Sequence, residues 1–327
     1  MTIVDFHNHY YPEAYLKELA TGRGVARLST DAHDRTLIEY PGDYNVVALG
    51  HRDLTERLRV MDQEGVTVNA FSLTTPGVHV EERARGVALA QLVNDAFGEA
   101  AAAHPGRFAP LAALPLQDPV AAVREAERAL TTLGHRGVLL FSHVNERSLD
   151  DEAYLPLFEL LESLKAPAFI HPTSPRSLEG IAEYRLTAIM GFLFDTTVAA
   201  ARLIFAGVPE RFPQLKVVLG HLGGTLPYLV ERMDRGFHAY AECRVHIDRA
   251  PSEYVKRMYV DTVNFEPHAL RMAMGYLGAD HLVFGSDYPH EVGSVAKALG
   301  AVRGLDLAPV DQAAILGRTA QTLLRTE

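Results

Sequence analysis

Short apolar runs rich in β-branched residues alternate along the chain with longer stretches whose apolar positions recur every three to four residues. The first four runs are "TIVDFH" (2–7), "VTVNAFSL" (66–73), "FAPLAALP" (108–115) and "GVLLF" (137–141). Four more follow: "APAFIHP" (166–172), "KVVLGH" (216–221), "MYVDTV" (258–263) and "HLVFGSD" (281–287). Most are almost continuously hydrophobic, the pattern of parallel strands covered on both faces. The intervening stretches read as helices. "DPVAAVREAERALTTLG" starts on the capping residue Asp118 with Pro119 at the first helical position and closes on Gly134. "VEERARGVALAQLVNDAFGEAAAAH", "LPLFELLESLK" and "HALRMAMGYLG" repeat the theme, the last ending at Gly278.

Eight strands alternating with helices predict an α/β fold, a (β/α)8 TIM barrel formed as one domain over residues 1–327. A doubly wound open sheet is the alternative, but no GxGxxG follows the first strand, which weakens its dinucleotide-binding form. The connections after strands one (10–60) and five (172–215) are long. In a barrel they lie at the C-terminal mouth, where they wall a pocket.

Composition narrows the class. Hydrophobic residues make up 48% and charged residues 22% of 327, as in a globular protein with an ample core. The net charge of −10 argues against nucleic acid as a partner and leaves a small anionic substrate open. Cys243 is the one cysteine, so neither an intramolecular disulfide nor a Cys-rich zinc site can form. With no signal pattern and no apolar run read as long enough to span a bilayer, the expectation is a cytoplasmic protein without a membrane partner.

The candidate chemistry lies at the strand ends. His7 and His9, two apart on strand one, project to the same side. Strand five ends in His171, strand six in His221, and strand eight in Asp287. Each has an ordinary alternative: His171 precedes a proline, His221 sits in a turn, and Asp287 is placed to cap a helix. At matching positions of an eightfold pattern, the set reads as one site on the catalytic face of a barrel. Imidazoles gathered with a carboxylate suit zinc, manganese, iron or cobalt better than calcium or magnesium. One divalent ion is expected, zinc first, with no organic cofactor.

The stretches "DFHNHYYP", "FIHPT", "FDTTVAAARLIFAGVPERFPQLKVVLGHLGGTLPYLVERMDR" and "LVFGSDYPH" resemble the amidohydrolase superfamily. The resemblance is to the branch typified by aminocarboxymuconate-semialdehyde decarboxylase and related aromatic-acid decarboxylases. It covers essentially the whole chain and implies a barrel with a divalent metal in its mouth. Position by position it implies His7, His9, His171 and Asp287 as metal ligands, with His221 catalytic. Binuclear members carry a lysine at the end of strand four. Here that strand ends in Phe141 and Ser142, favouring one metal, and nearby His143 is expected to be structural.

Such a site supports two chemistries. The leading expectation is a carboxy-lyase for a small aromatic or unsaturated carboxylic acid, with His221 and Asp287 handling protons. The alternative is hydrolysis or hydration of a lactone, amide or unsaturated acid by a metal-activated water. A non-catalytic metal-binding barrel is the reading from another class. Arg52, Arg176 and Arg185 are the candidate cations for a carboxylate. Tyr288, with Tyr10, Tyr11, Phe192 and Phe194, is a candidate apolar wall. Asn45 stands where the muconate enzyme has a substrate-gripping arginine. The resemblance also implies a homodimer, with Arg232 and Arg235 in the region that reaches a neighbour's site.

Overall fold

The computed structural model describes residues 1–145 and 147–326. All eight expected strands are present: β1 (Val4–His9), β2 (Val68–Ser72), β3 (Leu111–Ala113), β4 (Gly137–Phe141), β5 (Ala168–His171), β6 (Val217–Leu219), β7 (Tyr259–Asp261) and β8 (Leu282–Val283). Parallel ladders join β1 to β2 and run unbroken from β3 to β8. Backbone bonds across Asn69 and Phe108 link β2 to β3. The barrel closes where Phe6 N donates to Phe284 O (2.8 Å), Asp287 N to His7 O (2.8 Å) and His9 N to Tyr288 O (2.8 Å). The fold is a (β/α)8 barrel.

The side-chain period of two divides each strand between two cores. Val4, Phe6, Ala70, Leu111, Leu139, Phe169, Val218 and Val283 fill the floor of the lumen, plugged from below by Leu323 and Leu324 of the last helix. Their neighbours, such as Leu140, Ile170, Leu219 and Leu282, pack outward against the helices. The helices start and stop where expected. Asp118 caps Pro119–Thr131 by accepting from Ala121 N at 3.1 Å, and Gly134 and Gly278 take the left-handed backbone that ends their segments.

Two features depart from the sequence reading. The first long connection carries a three-stranded antiparallel sheet, Arg27–Thr30, Thr36–Tyr40 and Asp43–Val46, over the mouth. The segment Thr187–Phe205 is a continuous 19-residue helical run of hydropathy 1.6, long and apolar enough by composition to cross a membrane. Interruptions such as Gly191 and Asp195 break it up when only unbroken apolar runs are counted. Here it begins with a π-helical turn and packs Thr196, Ala199, Ala200 and Leu203 onto the barrel. Its other face exposes Ile189, Met190, Phe194 and Val198.

Candidate metal centre

A β-bulge sets the first two donors. Between Asp5 and Asn8 the β1–β2 register slips, giving β1 one extra residue. Val4 and Phe6 face the lumen floor below the slip, yet His7 and His9 face the lumen above it, and Asn8 turns into the wall. Buried Arg57 holds this arrangement. Its guanidinium donates to Asn8 Oδ1 (2.7 Å), Gly50 O (2.9 Å) and Asn69 Oδ1 (3.2 Å), and also to His9 O. Its ring neighbours are Tyr10 and Tyr288, the latter 5.1 Å from the guanidinium carbon. Gly285 lets β8 come close, because a Cβ there would lie 2.8 Å from His7 Cβ.

His7, His9, His171 and Asp287 are all buried, and one donor atom from each lies within 4.8 Å of the others. Three come from the β8–β1 seam and one from β5 across the lumen. Each imidazole has its Nδ1 occupied outside the cluster. His7 Nδ1 pairs with Asp261 Oδ2 at 2.5 Å, His9 Nδ1 with Ser72 Oγ at 3.2 Å, and His171 Nδ1 with Pro172 O at 2.7 Å. These bonds favour the Nδ1–H tautomer and leave Nε2 lone pairs facing inward. The Nε2 atoms of His7 and His9 stand 3.0 Å apart, and Asp287 Oδ1 lies 3.4 and 3.3 Å from them without a hydrogen-bond partner. Converging lone pairs around an orphaned buried carboxylate oxygen fit a divalent cation.

The electrostatics agree with that fit. Burial pushes His9 and His171 well below the ordinary imidazole value, so both are held neutral, the state that ligates. Burial alone would lower His7 too, but the charge and hydrogen bond of Asp261, together with the charges of Asp287 and Asp5, outweigh it and raise His7. For Asp287, burial, which would raise it, is outweighed by the surrounding imidazoles of His221, His9 and His7, which hold its carboxyl well below the usual range.

His221 leaves β6 in left-handed backbone, φ 53°, followed by Leu222 at 57°. Asp261 stabilises that turn by accepting from His221 N (2.9 Å) and Leu222 N (2.8 Å). The His221 ring then faces the cluster, with Nε2 3.8 Å from Asp287 Oδ2. Asp261 went unnoticed in the sequence although it ends β7 in "MYVDTV". With it, five strands rather than four deliver a histidine or aspartate to the mouth.

Above the cluster opens a cavity of about 480 Å³. Its apolar lining includes Ile189, Phe192, Leu193, Val263, Phe265 and Val292. Its polar lining includes Asn45, Thr74, Thr75, Arg185, Asn264, His290 and Glu291. Of the three candidate arginines only Arg185 reaches this wall. It bonds the Asp43 carboxylate and Tyr44 O (3.1 Å) and stacks 4.1 Å over the Tyr44 ring. Arg52 is exposed on the short helix Leu49–Arg52 and does not line the cavity. Arg176 is exposed and bonds Ser148 Oγ at 2.7 Å. Tyr288 also misses the cavity, because its ring packs on Arg57 and its hydroxyl lies against Gly50. Phe192 lines the cavity, Phe194 is exposed, and Tyr10 and Tyr11 are core. Asn45 Nδ2 is already engaged by the Tyr11 hydroxyl (3.0 Å), Thr75 O (2.6 Å) and Thr75 Oγ1 (2.9 Å). His143 bonds the carbonyls of Asn145 and Ser174, while Ser142 donates to Asp195.

A family model described as amidohydrolase matches residues 4–326. Gamma-resorcylate decarboxylase of Rhizobium radiobacter is 34% identical over 277 residues, covering 77% of this chain and 82% of that protein. 2-Amino-3-carboxymuconate-6-semialdehyde decarboxylase of Dictyostelium discoideum is 29% identical over 298 residues, 89% of this chain and 83% of its own length. Among solved structures, a dihydroxybenzoic acid decarboxylase from Polaromonas sp., with bound manganese and the inhibitor 2-nitroresorcinol, superposes with a TM-score of 0.85 at 28% identity. That superposition covers 99% of this chain and 97% of the other. This chain is an enzyme of the amidohydrolase family.

Proposed function

We propose that the chain is a metal-dependent carboxy-lyase that removes the carboxyl group of a small aromatic acid. The observation that carries this reading is the convergence of three imidazole Nε2 atoms and the partnerless Asp287 Oδ1 beneath a cavity lined in part by apolar side chains. His7, His9, His171 and Asp287 would hold one divalent ion. Zinc is the first expectation from the imidazole-rich donor set, and manganese, held by the Polaromonas relative, is its competitor. When bound, the ion supplies electrostatic stabilisation to the oxygens of the substrate.

The chain's own residues do the rest. The apolar lining, with Phe192, Val263 and Phe265, would receive a flat ring. Decarboxylation breaks the bond from ring to carboxyl carbon and leaves its electron pair on the ring. The ring carbon must then take a proton as CO2 departs. His221, 3.8 Å from Asp287 Oδ2 and only 13% exposed, is placed to deliver it, with Asp287 orienting the imidazole. Arg185 is the one lysine or arginine on the cavity wall among the described residues, and a substrate carboxylate would draw it from Asp43 during entry.

We further propose a cytoplasmic homodimer. The dimer is supported by the exposed Ile189, Met190, Phe194 and Val198 beside the mouth, and by Arg232 and Arg235, both exposed on the helix Leu226–Ala239. Light scattering of the purified protein checks the mass. The functional test is incubation of metal-loaded enzyme with hydroxybenzoates and muconate-type acids while CO2 is recorded. Stoichiometric CO2 and the decarboxylated ring are expected. Hydrolysis of lactones or amides with no CO2 from any acid would overturn the reading.

A further inference from the structure

Beside the metal cluster the cavity wall carries a pair of polar groups with no assigned task, Thr74 and His290. Thr74 lies two residues beyond the end of β2 and His290 three residues beyond Asp287, so both hang over the β8–β1–β2 rim. The His290 ring is wedged between two other imidazoles, its centroid 5.1 Å from that of His9 and 4.8 Å from that of His51. Its backbone N donates to Asp287 O at 3.0 Å and its carbonyl accepts from Gly293 N at 2.9 Å. The ring is thereby fixed in place.

Its side-chain bonding is weak by comparison. Nε2 reaches Thr74 Oγ1 at 3.4 Å, beyond the usual range for a nitrogen–oxygen hydrogen bond. The neighbouring polar groups are committed elsewhere: Asn45 to Tyr11 and Thr75, and Arg185 to Asp43 and Tyr44. Apart from Asn264, the rest of the lining beyond the ligand cluster is largely hydrocarbon. Thr74 and His290 are therefore the underused donor–acceptor pair next to the ligand cluster. Both a hydroxyl and a neutral imidazole can donate or accept, which matches a phenolic hydroxyl better than a carboxylate or a methyl group.

We propose that His290, aided by Thr74, is a specificity-determining residue that reads a second hydroxyl on the substrate ring. This rests on the carboxy-lyase reading and deepens it. A ring that turns its carboxylate and one flanking oxygen toward the cluster presents its other flanking position to the adjacent wall. Beside His9 that wall is Thr74 and His290. The preferred substrates are then aromatic acids with hydroxyls on both sides of the carboxyl group. Replacing one hydroxyl by methyl leaves the pair facing hydrocarbon and is penalised, because a site built to hydrogen-bond a hydroxyl strongly rejects the analogue lacking it.

The test uses two probe pairs that differ at that one position. For turnover, metal-loaded enzyme is given 2,6-dihydroxybenzoate or 2-hydroxy-6-methylbenzoate and kcat/KM is measured from CO2 release. For binding without reaction, 2-nitroresorcinol and 2-nitrophenol are titrated. The native enzyme is expected to favour 2,6-dihydroxybenzoate by ~100-fold in turnover and to bind 2-nitroresorcinol more tightly than 2-nitrophenol. His290→Phe should cut that preference at least about tenfold, Thr74→Val should reduce it in the same direction, and His290→Gln should preserve it, all with full metal content. A preference unchanged in His290→Phe overturns the inference and leaves the carboxy-lyase reading intact. Loss of metal from His290→Phe also overturns it, since the ring would then be supporting the ligand set. If neither nitro compound binds and neither acid loses CO2 in the native enzyme, the carboxy-lyase reading falls and this inference with it.

Discussion

The floor and the mouth of the lumen are built by the same strands, often two residues apart, and follow opposite rules. On β5, Phe169 sits in the floor and His171 in the mouth. On β8, Val283 is followed two positions later by Gly285 and then by Asp287. The floor is hydrocarbon against hydrocarbon, and nothing in it needs a further partner. The mouth crowds nitrogen lone pairs 3.0 Å apart beside a carboxylate oxygen that accepts no hydrogen bond. Buried polar groups in that state cost stability unless something binds them. One half of the lumen stores stability, and the other is held open for a ligand at the expense of it.

Three variants break the comparison, each from a different side. The largest effect is expected from His7→Ala with His9→Ala. The protein should lose its stoichiometric metal and all turnover. Its metal-free form should unfold more easily than the metal-free native chain, because His7→Ala leaves the buried Asp261 carboxylate without its imidazole partner. Elemental analysis and urea unfolding after chelation check both halves, and a native-like metal content would refute the ligand assignment. Next, His221→Asn should keep the metal and lose ~10²–10⁴-fold in turnover, as for a proton-transfer residue. Metal loss there would make His221 a ligand instead. In the floor, Leu139→Ala should cost about 2–5 kcal/mol of unfolding free energy while metal stoichiometry stays at the native level below the melting range. If metal content falls in step with stability, the two regions are not independent.

The barrel itself was legible because its signal is repeated eight times. Strand ends overshot, as at 108–115 against Leu111–Ala113, since apolar residues continue into the turns beyond the last ladder bond. His7, His9, His171, His221 and Asp287 could be listed from strand ends alone. What escaped had no period to announce it. Arg57 reads as one more charged residue on an amphipathic helix, and only the fold buries it against the bulge carbonyl of His9. Arg52, Arg176 and Tyr288 were wrongly placed in the cavity because belonging to a mouth-side connection does not fix the direction of a side chain. The sheet Arg27–Thr30, Thr36–Tyr40 and Asp43–Val46 is an insertion outside the βα repeat, and its strands of four and five residues are too short for alternation to stand out.

The mildest variant tests whether the mouth depends on its supports as well as its ligands. Asp261 accepts four hydrogen bonds: His7 Nδ1 and His221 N on Oδ2, and Leu222 N (2.8 Å) and Val263 N (2.9 Å) on Oδ1. All four partners are donors, so Asp261→Asn sets its amide N–H groups against two of them in either orientation. If the amide faces Leu222 and Val263, the turn carrying His221 loosens. If it faces His7, the bond favouring the Nδ1–H tautomer is lost and Nε2 presents a proton to the cluster. Either way metal affinity should fall about 10–100-fold, the usual effect of losing the carboxylate behind a ligating histidine. Competition with a chromogenic chelator measures this, and the d–d spectrum of the cobalt-substituted protein reports whether the ligand geometry shifts with it. Unchanged affinity would mean that bulge and barrel seam alone hold His7. A 10–100-fold loss would show that, unlike the floor, the mouth owes its shape to hydrogen bonds around its ligands as much as to packing.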